Sequence, residues 1–216
     1  MEEKIIKKYS VLESLNVSRE IYSDFESLAL LLKKKNDEIN IISKENADID
    51  IIRSRHIIDS AQIIDFVNLN SNTTYDLGSG GGMPGLVIAI MIKKLKKDMR
   101  IILYEKSYHK SLFLKEASRK LNLNTEVVQH NIFEDKNLES GTIMSRAFKP
   151  LPIILDLVNK NFDSYKNLIL FMGKNGRQTL ETALKDWDLD YVEKRSLTSQ
   201  NSFILNIKKI KKKFLN

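Results

Sequence analysis

The chain contains no cysteine. That excludes disulfides, thiolate zinc sites, iron–sulfur clusters and any cysteine nucleophile, and with the last goes covalent attack on a pyrimidine ring carbon. Histidine is scarce. His56, His109 and His130 stand far apart, without metal-ligand spacing, so no metal is expected. No phosphate-binding P-loop and no G-x-S-x-G nucleophile elbow occurs. Long apolar runs are missing too: the longest, Gly85–Ile92, is far too short to span a bilayer. The opening MEEKIIKKYSVLESL has no apolar core and no small-residue cleavage site, which leaves the cytoplasm as the expected location. There are no internal repeats.

What is present is enough for a real core. The 216 residues are 42% hydrophobic and 29% charged, ordinary for a globular protein. The net charge of +7 is unevenly spread. Residues 1–72 are net −3, residues 73–206 net +5, and the last ten residues, 207–216, carry five lysines and no acid. A basic balance suits a polyanionic partner, and a lysine-rich composition explains it equally.

The first 70 residues predict a small helical cap. Ser18 is placed to cap a helix over 18–35, with Ile21, Tyr22, Phe25, Leu28, Ala29 and Leu32 on one face. Further helices are expected at about 46–53 and 54–67. At Thr73 the pattern changes. TTYDLG, RIILYE, TEVVQ, GTIMSRA and KNLILFM read as strands, alternating with helices that begin near Pro84, Ser107, Leu151 and residue 178. YVEKRSL and SFILNIKKI, joined by TSQN, read as a closing antiparallel hairpin. Such alternation predicts an α/β fold with a mostly parallel sheet and helices on both faces. The expected division is a cap at 1–72 and a sheet domain at 73–216, ending in a basic tail at 207–216.

Five of the eight glycines fall within Asp76-Leu77-Gly78-Ser79-Gly80-Gly81-Gly82-Met83-Pro84-Gly85. This loop ends the first strand and opens a helix, where doubly wound sheets bind ligands. Two registers fit. Gly80-x-Gly82-x-x-Gly85 matches a dinucleotide fingerprint, but its glycines start late for the turn. Asp76-x-Gly78-x-Gly80-x-Gly82 matches a nucleoside loop for S-adenosylmethionine (SAM), with the Asp76 carboxylate near the cofactor's cationic end. Glu105, ending the second strand, can accept both hydroxyls of a ribose in either case; its bland reading is a helix N-terminal charge beside Ser107. The segment Ser145-Arg146-Ala147-Phe148-Lys149-Pro150 lacks the [DNS]-P-P-[YF] signature of enzymes that methylate exocyclic amines.

Together these residues resemble the bacterial small-subunit ribosomal RNA guanine-N7 methyltransferases, also called the glucose-inhibited division protein B family. Asn36, Asn40 and Ser43 look like its W-N-x-x-x-N-L-x-S segment. Arg55-His56-Ile57-Ile58-Asp59-Ser60 resembles R-H-I-x-D-S, the glycine loop D-x-G-[ST]-G-x-G-[FLM]-P-G, Ser145-Arg146-Ala147 S-R-A, and Lys174 with Gly176 a late K-G element. Three positions depart: Lys35 replaces the tryptophan, His109-Lys110 stands where a K-R pair is usual, and Asn175 splits the K-G pair.

The resemblance implies a Rossmann-like, class I SAM-dependent methyltransferase with an N-terminal helical cap. By position it implies SAM contacts from Gly78, Met83, Ile132, Phe133 and Arg146, with Glu105 on the ribose; the loop itself adds Asp76, Ser79 and Gly80. Arg55, His56, Lys149 and Lys174 become candidates for holding RNA, and Arg146 a candidate at the reacting atoms. The partner would be ribosomal RNA or the small subunit, with no membrane and no metal, and a monomer is the default. Three alternatives stay open: a small-molecule SAM methyltransferase, an NAD-dependent oxidoreductase using the Gly80–Gly85 register, and a nucleic-acid-binding module with a vestigial loop.

Overall fold

The computed structural model describes residues 2–15, 18–95 and 97–213. Seven strands form one sheet in the order β3-β2-β1-β4-β5-β7-β6. They are β1 (Thr73–Leu77), β2 (Arg100–Tyr104), β3 (Thr125–Val128), β4 (Leu138–Ser145), β5 (Phe162–Met172), β6 (Trp187–Arg195) and β7 (Phe203–Lys212). The first five run parallel; β7 pairs antiparallel with both β5 and β6. The α/β expectation, with its closing hairpin, is met.

Strand alternation sorts side chains onto two cores. Ile101, Leu103, Met144 and Ile169 face one of them. It is covered by α1 (Glu2–Tyr9), α2 (Tyr22–Glu38), α5 (Gly85–Lys94) and α6 (Tyr108–Lys120). Leu77, Ile102, Tyr104, Ile143, Leu168 and Leu170 face the other, covered by α7 (Leu151–Asn161) and α8 (Gly176–Asp186). Phe25, Leu28 and Leu32 of α2 join the same apolar cluster as Leu86, Ile90 and Leu114. The helical N-terminal region thus buries its apolar side directly on the α5–α6 layer.

Several local expectations shift. Ser18 caps a short 3-10 turn, Arg19–Ile21, and α2 runs on to Glu38. The two helices expected over 46–67 are one run: α3 (Ile49–Ile51), a π-helical segment Ile52–Ile58, and α4 (Asp59–Ala61). Its cap is Asp48, whose carboxylate accepts the Asp50 and Ile51 amides. The helix Glu2–Tyr9, not expected, carries a strong amphipathic pattern and packs Tyr9 into the core. Pro84 sits one residue earlier than expected, as the residue before α5.

The closing strand read as SFILNIKKI runs two residues further, into the lysine-rich tail. Residues 207–212 are the second half of β7, hydrogen-bonded to β6, with Lys211 opposite Asp188 and Lys209 opposite Asp190. Residues 214–216 lie outside the described residues.

Candidate active site

Strand register builds the site. Leu77 lies opposite Tyr104 on one side and Ser145 on the other, and Tyr104 lies opposite Val128. The chain therefore leaves the sheet at one level in four places: the glycine loop, Glu105, Arg146, and the turn Ile132–Glu134. β1 sits where the strand order reverses, so a crevice opens at these carboxyl ends. The crevice is a cleft of about 650 Å³.

The glycine loop forms its floor. Gly78, Gly80 and Gly82 have positive φ, +73°, +54° and +86°. A Cβ on Gly78 would collide with the Phe148 ring, and one on Gly82 with Leu86. Gly80 differs: a Cβ there would meet nothing nearer than the Gly78 carbonyl oxygen at 3.8 Å. Its side is bare toward the cleft, and the amide of Ser79 is anchored behind it on the Tyr104 carbonyl at 2.9 Å.

Glu105 closes the loop from β2. Its Oε2 accepts the Gly80 amide at 2.9 Å and its Oε1 the Ser107 amide at 2.7 Å. Each carboxylate oxygen keeps a further lone pair for a ligand hydroxyl. The helix-terminus role and the ligand role thus coexist in one side chain.

Asp76 takes a different place from the one the sequence suggested. Tyr75 and Leu77 face the α7–α8 core, so Asp76 points under α5 and is fully buried. Its Oδ2 accepts the Gly85 amide at 2.9 Å, and its Oδ1 has no partner. Burial pushes its carboxyl up to about 7. It braces the loop from below and is not on the cleft wall.

Arg146 follows β4, in a turn where Ala147 holds φ +51°. Its Nη2 donates to the Arg55 carbonyl at 2.5 Å and lies 3.6 Å from Asp59 Oδ2. Its guanidinium sits 5.7 Å from the Phe171 ring centre, and its Nη1 is buried without a partner. Burial pulls its pKa down, and the Asp59 and Asp76 charges oppose that.

His56 lines the cleft from the π-helical segment. Its Nε2 is buried and unpartnered, and the nearby Asn46 backbone favours a proton on the ring. Burial, then the Arg146 and Arg55 charges, lower its pKa to about 4, and the ring is neutral.

The cleft unites Gly78, Ser79, Gly80, Met83, Glu105, Ile132, Phe133, Arg146, His56 and Lys149. Ile132 is 2% exposed and serves the core as well, whereas Phe133 is 36% exposed, its ring centre 6.1 Å from that of Phe148. Asn161 fixes that turn by donating to the carbonyls of Ile132, Phe133 and Asp135. Arg55 does not line the cleft; its carbonyl accepts from Arg146 and its charge acts on His56. Lys174 lines a neighbouring hollow of about 320 Å³ with Lys149.

Sequence reasoning missed Asp59, whose Oδ1 accepts from Gln62, Ser196 and Thr198 while Oδ2 faces Arg146. Its place within the R-H-I-x-D-S segment was the available signal. Lys106, Lys110, Asn131 and Phe148 on the cleft wall were missed as well; Lys106, Asn131 and Phe148 follow strand ends already singled out, and Lys110 lies in the first turn of α6. Among the described residues no group of three or more side chains is arranged to hold a metal ion, and no helix is long and apolar enough to cross a membrane.

A family model described as rRNA small subunit methyltransferase G, GidB, matches residues 21–207. The chain belongs to this family. A relative from Pelagibacter ubique called ribosomal RNA small subunit methyltransferase G is 62% identical over 98% of this chain and 99% of its own length. Another of that name, from Ruegeria pomeroyi, is 32% identical over 90% of this chain and 94% of its own. Among solved structures, a SAM-dependent methyltransferase from Aquifex aeolicus superposes with a TM-score of 0.51 at 14% identity, covering 70% of this chain and 89% of that one. The fold is the Rossmann-like methyltransferase fold. The family resemblance read from the glycine loop and the R-H-I-x-D-S and S-R-A segments is borne out.

Proposed function

We propose that this chain transfers a methyl group from S-adenosylmethionine to N7 of a guanine in small-subunit (16S) ribosomal RNA. What supports this is one arrangement in a member of the GidB family: the Glu105 carboxylate bonded to the bare backbone of Gly80 at the sheet's switch point. A side chain at Gly80 would fill the space a nucleoside needs, and Glu105 retains acceptor capacity for its ribose.

The residues take the following roles. Gly78, Ser79 and Gly80 offer backbone to the cofactor, Met83 packs beside it, and Glu105 takes the ribose. Ile132 and Phe133 flank the adenine. Asp76 keeps the loop in shape from beneath, its Oδ2 accepting the Gly85 amide. Arg146 stands between cofactor and target. Arg55, His56, Lys149 and Lys174 serve the RNA, the two lysines as phosphate contacts.

When bound, S-adenosylmethionine supplies an electrophilic methyl group, and guanine N7 takes it with an in-plane lone pair that carries no proton. The chain therefore needs no general base and no metal. Its work is to align the base, exclude water and offset the positive charge that appears on the purine. Residues 1–72 act as the substrate-side cap and residues 73–216 as the transfer half, in a monomer working in the cytoplasm.

The test is to incubate unmethylated small subunits with methyl-labelled SAM, then cleave at N7-methylguanine with borohydride and aniline. Labelled RNA that cleaves at one guanine is the expected result. Label at another atom, or none, overturns the assignment.

A further inference from the structure

Two of the four buried side-chain atoms without a hydrogen-bond partner among the described residues belong to neighbouring side chains of the cleft: His56 Nε2 and Arg146 Nη1. They are neighbours because Arg146 Nη2 donates to the carbonyl of Arg55, the residue before His56. One is an acceptor. In the neutral ring that carries its proton on Nδ1, Nε2 holds a lone pair, and it is buried with no partner in the protein. The other is a donor, since a guanidinium has nothing else to offer. A buried polar atom left unpaired is costly, so a ligand that pairs both is favoured.

Guanine presents an acceptor, O6, beside a donor, N1–H. Adenine presents the reverse, N6–H beside a bare N1. We propose that His56 Nε2 accepts the N1–H of the target guanine while Arg146 Nη1 donates to O6, so that this pair selects guanine over adenine. The inference rests on the methyl-transfer function proposed above and adds how the base is chosen.

The chemistry narrows the alternatives. An arginine usually reads guanine by forking onto O6 and N7. That fork would occupy the N7 lone pair that must stay free. Reading O6 and N1–H instead leaves N7 open. The acceptor also strengthens as reaction proceeds, because positive charge gathering on the ring makes N1–H a better donor. The guanidinium would oppose that charge, and Asp59 Oδ2 at 3.6 Å offsets it. A neutral His56 is required, since a protonated ring would set a donor against N1–H; burial, then the Arg146 and Arg55 charges, hold it neutral.

The experiment uses the full chain, with small subunits reconstituted to carry guanine, inosine, 2-aminopurine or adenine at the mapped target. Inosine keeps O6 and N1–H and lacks only the 2-amino group; 2-aminopurine loses both recognised groups; all keep N7. Wild type should methylate inosine within about threefold of guanine and 2-aminopurine and adenine at least about 10- to 100-fold more slowly. His56→Phe keeps a ring of similar size but no acceptor. It should lose about 10- to 100-fold in kcat/KM on guanine, shrink the guanine-to-adenine ratio, and leave S-adenosylhomocysteine affinity within about twofold.

Inosine as poor as adenine overturns the proposal by moving the contact to the 2-amino group. His56→Phe with wild-type rates and base preference overturns it also, as does a variant that loses cofactor affinity in proportion to activity, which marks a structural histidine. In these three cases wild type still methylates guanine N7, so the methyl-transfer assignment survives; failure of wild type on guanine defeats that assignment instead.

Discussion

Glu105 Oε2 accepts the Gly80 amide at 2.9 Å, joining residues 25 positions apart at the ends of two adjacent parallel strands. The bond sets the spacing between the bare glycine backbone and the carboxylate. Glu105→Gln keeps an acceptor for one of the two amides and removes the charge. S-adenosylhomocysteine binding, measured by calorimetry, should weaken about tenfold, near 1.4 kcal/mol, a size typical of a charged hydrogen bond reduced to a neutral one. Unchanged affinity would remove Glu105 from the cofactor site.

Gly80→Val tests the floor. The φ of +54° is strained for a β-branched residue, and the new side chain would project into open space, its Cβ no nearer than 3.8 Å to the Gly78 carbonyl oxygen. Cofactor binding should vanish while circular dichroism shows a folded protein. Binding within about threefold of wild type, the protein remaining folded, would place the nucleoside elsewhere.

Arg146 and Asp59 act together. Arg146→Ala removes the hydrogen bond to the Arg55 carbonyl and leaves Asp59 Oδ2 without its cation, so a fall in melting temperature of a few degrees is expected alongside at least about a 100-fold loss in kcat/KM. Asp59→Asn keeps hydrogen bonding to the hairpin hydroxyls of Ser196 and Thr198 and should lose activity by a smaller factor. Loss of stability with full activity in both variants would make the cluster purely structural.

His56 gives a pH signature. Its folded pKa of about 4 lies below the ordinary value near 6.5. The unfolded chain therefore binds the proton first as pH falls. The histidine's contribution to stability is full above about 6.5, declines from there to about 4, and declines no further below. Asp76, raised to about 7, works with the opposite sign over an overlapping range, because the folded chain takes its proton first. The difference in urea midpoint between wild type and His56→Gln isolates the histidine. The wild-type advantage should shrink between pH 7.5 and pH 4.5, and a constant difference would contradict the burial of a neutral ring.

The lysines of β7 make a graded prediction. Shortening the chain from residue 211 would remove strand pairing along with charge, since Lys211 and Lys212 pair with β6 and the Lys213 amide donates to the Asp186 carbonyl. Replacing exposed Lys208, Lys209 and Lys211 by Gln keeps the strand. If these side chains displace counterions from RNA, KM for small subunits should rise and the slope of log KM on log salt should flatten by about 0.7 for each phosphate no longer neutralised. S-adenosylhomocysteine affinity should not move. An unchanged slope leaves the lysines as solvated surface.

Local pattern alone determined the strand–helix alternation, the glycine loop between β1 and α5, and the acid at the end of β2. Each is written in neighbouring residues: period-two apolar runs, turn glycines, a carboxylate where a strand stops. The family segments followed from the same short stretches. Tertiary structure decided the rest, because register and burial are not local quantities. Asp76 went beneath α5 since Tyr75 and Leu77 claimed the opposite face. The strand read as ending at Ile210 ran on through Lys212 because β6 offered it partners, Asp188 for Lys211 and Trp187 for Lys212. Arg146 met the carbonyl of Arg55, 91 residues away, only once β4 had paired beside β1 and the helical cap had packed on the sheet. The unpaired Nε2 of His56 likewise exists only after burial strips its water, so no spacing in the chain could announce it.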